Sequence, residues 1–350
     1  MRKGDPRYKE YVKRNNEKRE RYRKRIIEGT LSHGKAKQRA RTSIRRYCPQ
    51  IPDYFSLLDN TRETLQYFKL IHEAIVEATV RDIIYFNLAN VKSASPDAFM
   101  YIVAILHNDP KIKAFKIRCH GNEPLALEPR KTLRMAGFFQ YVESKSFHPT
   151  ESEEKLLRIN RGAEPNPLYA KRLCDFIHSR TGNAIDRKNT KRLYAMLIEL
   201  MNNTRQHAFS ESNSVWNSKA LHNWYSYAED LDDEIRFVFL DTGLGIPSTI
   251  KKTFLEKIQP STSDAKLMSS ALQGDFRTKT GKRFRGKGMP EIYESAKNHY
   301  ISNLKIFSGK GMCSIEDDGS IDETNLEMKF HGTLFSWTIK KEIMNHGDTN

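Results

Sequence analysis

Cysteine is scarce in this sequence, and what there is stands scattered: Cys48, Cys119, Cys174 and Cys313 include no CxxC pair. That spacing argues against a disulfide framework and against a zinc site, and it suits a reducing cytosol. Long apolar runs are missing too. The longest, residues 98–106, is broken by Tyr101 and falls well short of the roughly 20 apolar residues that cross a bilayer. The densely charged N-terminus holds no apolar h-region, so no secretory signal is expected. A cytoplasmic protein with no membrane attachment follows as the expectation.

What is present is charge. Of 350 residues, 29% are charged and 38% apolar, and the mean hydropathy is -0.68. A chain of this length can fold as two ordinary domains, each with its own core. The net charge of +16 is concentrated: residues 1–50 hold 18 Lys and Arg against 5 Asp and Glu. A basic leader therefore precedes a nearly neutral body. Glu/Lys and Glu/Arg neighbours support a solvated helix over residues 6–28, ended by Gly29 and Gly34. Two readings stay open for residues 1–46: a nucleic-acid arm that contacts phosphates, or a solvated helix that docks on a protein partner. No base-reading motif or array of stacking aromatics accompanies the charge.

From residue 52 to about 145 the pattern alternates between strand and helix. DIIYFNLANV at 82–91 reads as a strand; Ser95-Pro96-Asp97 then opens a helix, with Ser95 as its cap and Pro96 in the first turn. Phe99, Ile102, Val103 and Leu106 follow at helical spacing. A second strand is expected over 113–119 and a second helix over 129–138, ending at Gly137. This order, with LANVKSASPDAFMYIVAIL followed by LRMAGFFQYV, resembles a STAS domain, the fold of anti-sigma-factor antagonists. Those antagonists carry a phosphorylated Ser or Thr directly after an Asp at the helix start, whereas Ser95 and Pro96 occupy the matching positions here. The phosphoacceptor of that family is therefore missing, and Ser95 is read as a helix cap.

Residues 146–166 are charged and contain Pro165, which suits a linker. A second domain, 167–345, follows. Helices are expected over 168–179, 187–208 and 290–298, a polar loop at 210–218, a hairpin of 222–228 with 235–240, and strands at 304–308, 326–330 and 332–339. Residues 247–285 form a long polar stretch rich in Thr, Ser, Gly and Lys, as functional lids often are. The expected fold class is α/β for the first domain and α+β for the second, an α/β sandwich with helices packed on one face of a mixed sheet.

Within this frame, LIELMNNTRQHAF at 197–209 places Glu199, Asn203 and His207 four residues apart, on one face of an otherwise apolar helix. Buried polar groups in such a register need partners. The strand IRFVFLD runs into Asp241, followed by Gly243, Gly245 and Ile246. A carboxylate there is costly to bury without a donor, and the glycines clear space in front of it. Gly286, Lys287, Gly288 and Met289 precede the helix expected from Pro290, so backbone amides and a helix N-terminus can face an anion. The segment before them is basic, with Arg277, Lys279, Lys282, Arg283 and Arg285, and Gly332-Thr333 enters the last strand. In this order the four stretches resemble the nucleotide-binding boxes of the GHKL ATPase superfamily, which includes gyrase, the mismatch-repair ATPase, histidine kinases and anti-sigma-factor serine kinases. ELMNNTRQH is especially similar to the histidine-kinase form.

The resemblance covers about residues 167–341 and implies ATP and Mg2+ as cofactors. It implies that Asn203 ligates the metal, which keeps waters and bridges to phosphates, and that Glu199 orients or deprotonates the attacking group. Asp241, supported by Thr333, would recognise the adenine amine. His207, Gly243, Gly245, Ile246, Gly286, Lys287, Gly288 and Met289 would complete the nucleotide site. Neither a phosphoacceptor-His hairpin nor a transducer-like domain is found, and His72-Glu73 is read as a packed or exposed pair on a helix. The functional expectation is an Mg-ATP-binding ATPase acting as a nucleotide-gated switch, of regulatory or defence type, on a partner protein or nucleic acid. The alternatives are a protein kinase acting on Ser, Thr or His, and a nucleic-acid-binding scaffold with a degenerate nucleotide site. A homodimer is compatible with all three.

The leader can be tested by itself. If residues 1–46 neutralise phosphates, log affinity for a random duplex should fall linearly with log salt, by about 0.9 per phosphate contacted. Deleting the leader should flatten that slope in filter binding. Failure to bind DNA or RNA even at low salt would assign the leader to a protein partner.

Overall fold

The computed structural model describes Glu17 and residues 44–142, 156–181, 187–207, 223–254, 258–259, 261–276 and 288–341. The chain divides into Met1–Arg46 and Tyr47–Asn350. Apart from Glu17, which is helical, and residues 44–46, the basic leader lies outside the described residues. The architecture that follows is that of the second unit.

Its first part combines short parallel strands with helices. In chain order these are β1 (Tyr54–Phe55), α1 (Thr61–Glu77), β2 (Ile83–Phe86), β3 (Ser93–Ala94), α2 (Pro96–Asn108), α3 (Pro110–Phe115), β4 (Arg118–Gly121) and α4 (Leu127–Ala136). β1 pairs in parallel with β3, and β2 with β4. Helix α2 opens at Pro96 as expected, but the Ser95 side chain makes no cap hydrogen bond. Asp97 ties the helix start down instead: its Oδ2 accepts from Leu57 N at 2.6 Å and Leu58 N at 3.2 Å. The strand expected over 113–119 is corrected. Asp109 Oδ1 accepts from Lys111 N at 2.7 Å and Ile112 N at 3.4 Å, which caps a short helix with Pro110 in its first turn. Only Arg118–Gly121 is extended.

The second part contains β5 (Leu156–Gly162), α5 (Pro167–Thr181), α6 (Arg187–His207), β6 (Trp224–Asp230), β7 (Glu234–Asp241), α7 (Ile246–Thr253), α8 (Asp264–Gln273), α9 (Gly288–Lys297), β8 (Ser302–Ile315) and β9 (Ile321–Lys340). The strands form one sheet in the order β5, β6, β7, β9, β8. Every pairing in it is antiparallel, not mixed: tight hairpins join β6 to β7 and β8 to β9, α5 and α6 carry the chain from β5 to β6, and β9 lies between β7 and β8, the two strands that run the same way on either side of a crossover. Residues 156–162, read from sequence as linker, are the edge strand of this sheet. Part of the expected lid is also structural: Ser263 Oγ accepts from Lys266 N at 3.2 Å to start α8, and this helix buries Ala265, Leu267, Met268 and Leu272. The short strands read near the C-terminus merge into one long hairpin, with Ile315 opposite Ile321. Among the described residues no helix is long and apolar enough to cross a membrane.

Both faces of the five-stranded sheet are apolar. Trp224, Ala228, Phe237, Phe239, Phe335 and Trp337 share a core with Leu173, Leu197 and Met201 of α5 and α6. The alternate residues, Tyr225, Tyr227, Val238, Leu240 and Leu334, share a core with Phe99, Tyr101 and Phe138 of the first part. WYSYA and IRFVFL therefore read as almost continuous apolar runs, the signature of strands covered on both sides. The described residues of this unit form a mixed α/β fold of three layers, with the sheet in the middle.

Because that sheet has no polar face, residues 47–142 and 156–341 should unfold together. Calorimetry of the full chain should give a single main transition, and Phe99→Ala should lower its stability in urea by about 3–5 kcal/mol. Two well-separated transitions, with Phe99→Ala affecting one alone, would show that the halves fold independently.

Candidate functional site

Helix α6 is anchored by Leu193, Leu197, Leu200 and Met201, all buried, and by Thr204, whose hydroxyl donates back to Leu200 O at 3.0 Å. Glu199 and Asn203 stand on its half-buried stripe. Gly288, the first residue of α9, comes directly against them. A methyl group in place of its hydrogen would lie 2.6 Å from Glu199 Cγ, 3.1 Å from Glu199 Oε1 and 3.3 Å from Asn203 Nδ2. No residue with a side chain fits there without displacing the two polar groups. Burial raises the Glu199 carboxyl above its ordinary value, and Glu291 on α9 adds to the effect.

Asp241 ends β7 and sits between Trp224 of β6 and Thr333 of β9 in register. Its Oδ1 accepts from Gly243 N at 2.7 Å. Burial pushes its carboxyl up to about 6, against the opposing pull of the Gly243 amide and the Thr333 hydroxyl. Behind Thr333 lies Ser308, fully buried, which donates to Gly332 O at 2.9 Å and accepts from Ile246 N at 2.9 Å. Gly245 has φ +86°, and a Cβ on it would approach Ser308 Oγ to 2.7 Å, so glycine is required by conformation and by space alike. Ile246 and Met289 both pack on the core beneath α6, which links the two halves of the candidate site.

The structure thus brings Glu199, Asn203 and Gly288 together, and separately Asp241, Gly243, Gly245 and Thr333. His207 lies in α6, but its side chain falls outside the described residues, as do Gly286, Lys287 and the basic residues 277–285. His72 packs against His331, with ring centroids 5.1 Å apart, and against Tyr101. Burial, reinforced by His331, lowers its pKa to about 3, so it is a packed side chain.

Two features were invisible to sequence reasoning. Ser308 sits in an ordinary strand with no motif around it. Thr242, beside Asp241, accepts from Asn108 Nδ2 at 3.1 Å, and Asn108 Oδ1 in turn accepts from Asn223 Nδ2 at 3.2 Å. Tyr225 Oη lies 3.0 Å from His107 Nδ1 in the same region. The partners Asn108 and Thr242 are 134 residues apart in sequence, and only folding shows that they meet.

No protein-family model matches this chain, and no curated protein matches it.

The raised Asp241 carboxyl has a stability consequence. The folded protein holds this proton more tightly than the unfolded chain does, so its contribution is fully present below the ordinary carboxylate value of 3.8 and is lost as pH rises through about 6. Above that, ionised Asp241 is a standing cost. Asp241→Asn should remove it: the melting temperature at pH 8 should equal or exceed that of wild type, with a flatter profile between pH 4 and 7. A clear drop at pH 8 would mean that the carboxylate holds the fold together.

Proposed function

We propose that this protein binds Mg-ATP between α6, the end of β7 and the start of α9, in the manner of the GHKL superfamily it resembles. Nucleotide occupancy would then be passed to the STAS-like first part of the unit. The observation that carries this reading is the close approach of Gly288, opening a helix, to Glu199 and Asn203, with Asp241 held at a strand end opposite Thr333. Asp241 has acceptor capacity for the adenine amine beyond its bond to Gly243, and its pKa of about 6 leaves it mostly ionised near neutral pH.

The residues present suit a magnesium ion held mainly by others. Among the described residues no group of three or more His, Cys, Asp or Glu is placed to hold a metal. Asn203 would give one oxygen, and phosphates and water the rest, which is how Mg2+ is usually bound. The N-terminus of α9 would face the phosphates, with His207, Gly286, Lys287 and Met289 beside it. Glu199, with its raised carboxyl, would orient or deprotonate the attacking group. The Asn108–Thr242 hydrogen bond supports the switch reading, since it joins the loop after Asp241 to the C-terminal end of α2. The object of the switch would be a protein partner, or nucleic acid engaged through residues 1–46.

Asn203→Ala should abolish Mg-ATP binding in calorimetry without altering the circular dichroism spectrum. Glu199→Ala should keep the nucleotide and lose turnover by roughly 100- to 10,000-fold. With labelled ATP, free phosphate would mark a hydrolase and phosphoprotein a kinase. Unchanged affinity in Asn203→Ala would sink the site assignment.

A further inference from the structure

At the end of β7 remote from Asp241, a cleft of about 530 Å³ opens where β6 and β7 meet the first part of the unit. Asp59, Glu63, Ser95, Glu229 and Arg236 line it. Asp97 and Tyr227, neither with any exposed surface, adjoin it: Asp97 feels the charges of Arg236 and Asp59, and Tyr227 those of Asp97, Glu229 and Arg236. Four polar atoms are left over here. Ser95 Oγ, in a residue only 7% exposed, Asp97 Oδ1, Tyr227 Oη and Glu229 Oε2 make no hydrogen bond of good geometry within the protein, although the Ser95 hydroxyl lies close enough to Asp97 and Tyr227 to pull the pKa of each down. Glu229 Oε2 stands 3.8 Å from Arg236, beyond hydrogen-bond reach.

Buried polar atoms are ordinarily satisfied, and each exception calls for a reason. One unmatched atom can be an accident of packing, but four converging on one cleft form an incomplete network. The charge balance indicates what would complete it. Asp59, Glu63, Asp97 and Glu229 face a single guanidinium, that of Arg236. The Glu229 carboxyl responds to this deficit of positive charge: burial and the neighbouring Asp97 and Asp59 push it up to about 7, although Arg236 pulls the other way. The missing component is therefore a donor that carries positive charge. A bare metal ion is a poor candidate, because no group of three or more carboxylates, imidazoles or thiols among the described residues is spaced to ligate one. Donors fixed on a carbon skeleton can reach Asp97 Oδ1 and Glu229 Oε2 while the skeleton fills the volume, which is within the range of small-molecule sites.

We propose that this cleft binds a small organic cation bearing a primary ammonium or guanidinium group, which donates to Asp97 and Glu229 and meets the hydroxyls of Ser95 and Tyr227. The site is separate from the nucleotide site proposed above and does not depend on it. Below the Glu229 value the cation must displace a proton, so binding should strengthen as pH rises from 6 to 8, and the protons released on binding should diminish over the same range. The groups facing Glu229 are Asp59, Glu63, Asp97, Tyr227 and Arg236.

The test is calorimetric titration of the full chain with agmatine and spermidine, using glutarate as the anionic control. Saturable binding of at least one cation, and none of glutarate, is expected. Glu229→Gln should weaken it about tenfold or more, the loss of a charge-assisted bond. Glu63→Gln lies on the exposed rim, where it cannot disturb the core, and should weaken binding about two- to fivefold. Asp241→Asn should leave the affinity unchanged. Failure of both cations to bind at millimolar concentration, preference for glutarate, or affinity indifferent to Glu63→Gln and to a folded Glu229→Gln would overturn the proposal.

Discussion

A sheet that is apolar on both faces has to be covered on both faces. In β6, β7 and β9 the alternate residues on each side are large and buried, so neither face could stand against water without exposing a broad apolar patch. The helices α5, α6 and α9 cover one side. The other is covered by a layer whose central element, α2, buries nearly all of its own surface. The unit therefore behaves as one body, although its two parts have different local architectures, short parallel strands in one and a long antiparallel sheet in the other. Folding them separately would leave two incomplete cores.

Apolar packing alone does not fix how two layers register, because sliding one past the other changes buried area little. The polar contacts across this junction do. His107 and Asn108, at the C-terminal end of α2, meet Tyr225, Asn223 and Thr242 on or beside the sheet, at 3.0 to 3.2 Å for the three closest contacts. A buried donor or acceptor left without its partner costs about 1–3 kcal/mol, so a misplaced layer is penalised where a correctly placed one is not. Thr242 is the residue after Asp241. The loop leaving β7 is thus joined to the end of α2 by a direct hydrogen bond, the contact on which the proposed switch rests.

Strand β7 carries different chemistry at its two ends. Arg236 and Asp241 are separated by five residues, roughly 17 Å along an extended chain. At the Asp241 end a carboxylate, two glycines and a buried Ser-Thr pair are tied together by defined hydrogen bonds. At the Arg236 end the polar atoms outnumber their partners and the negative charges outnumber the positive ones. Both ends lie on the same pair of hydrogen-bonded strands, β6 and β7, beneath the layer that covers them.

The sequence by itself determined much of the local order. The spacing of Leu197, Leu200 and Met201 set α6 and put Glu199 and Asn203 on one stripe of it, and the apolar runs at 224–228 and 235–240 set the central hairpin. Glycine at 245 was legible as a demand for space, and glycine at 288 as exposed backbone at a helix start, whereas its close approach to Glu199 was not. What the sequence could not carry was anything that depends on residues far apart meeting. The stretch 156–162 is unremarkable as a peptide and becomes a strand only because β6 offers it an open edge. Residues 113–115 have strand-like neighbours, but the Asp109 cap and Pro110 turn them into a helix. Ser308 gains its role from standing behind Thr333, and the acidic cleft exists only because Glu229 and Asp97, from different layers, are buried side by side. Helix periodicity, caps and turns are written within a few residues of chain. Edge pairing, buried polar partners and charge balance are set by the packing of layers, and tertiary structure alone decides them.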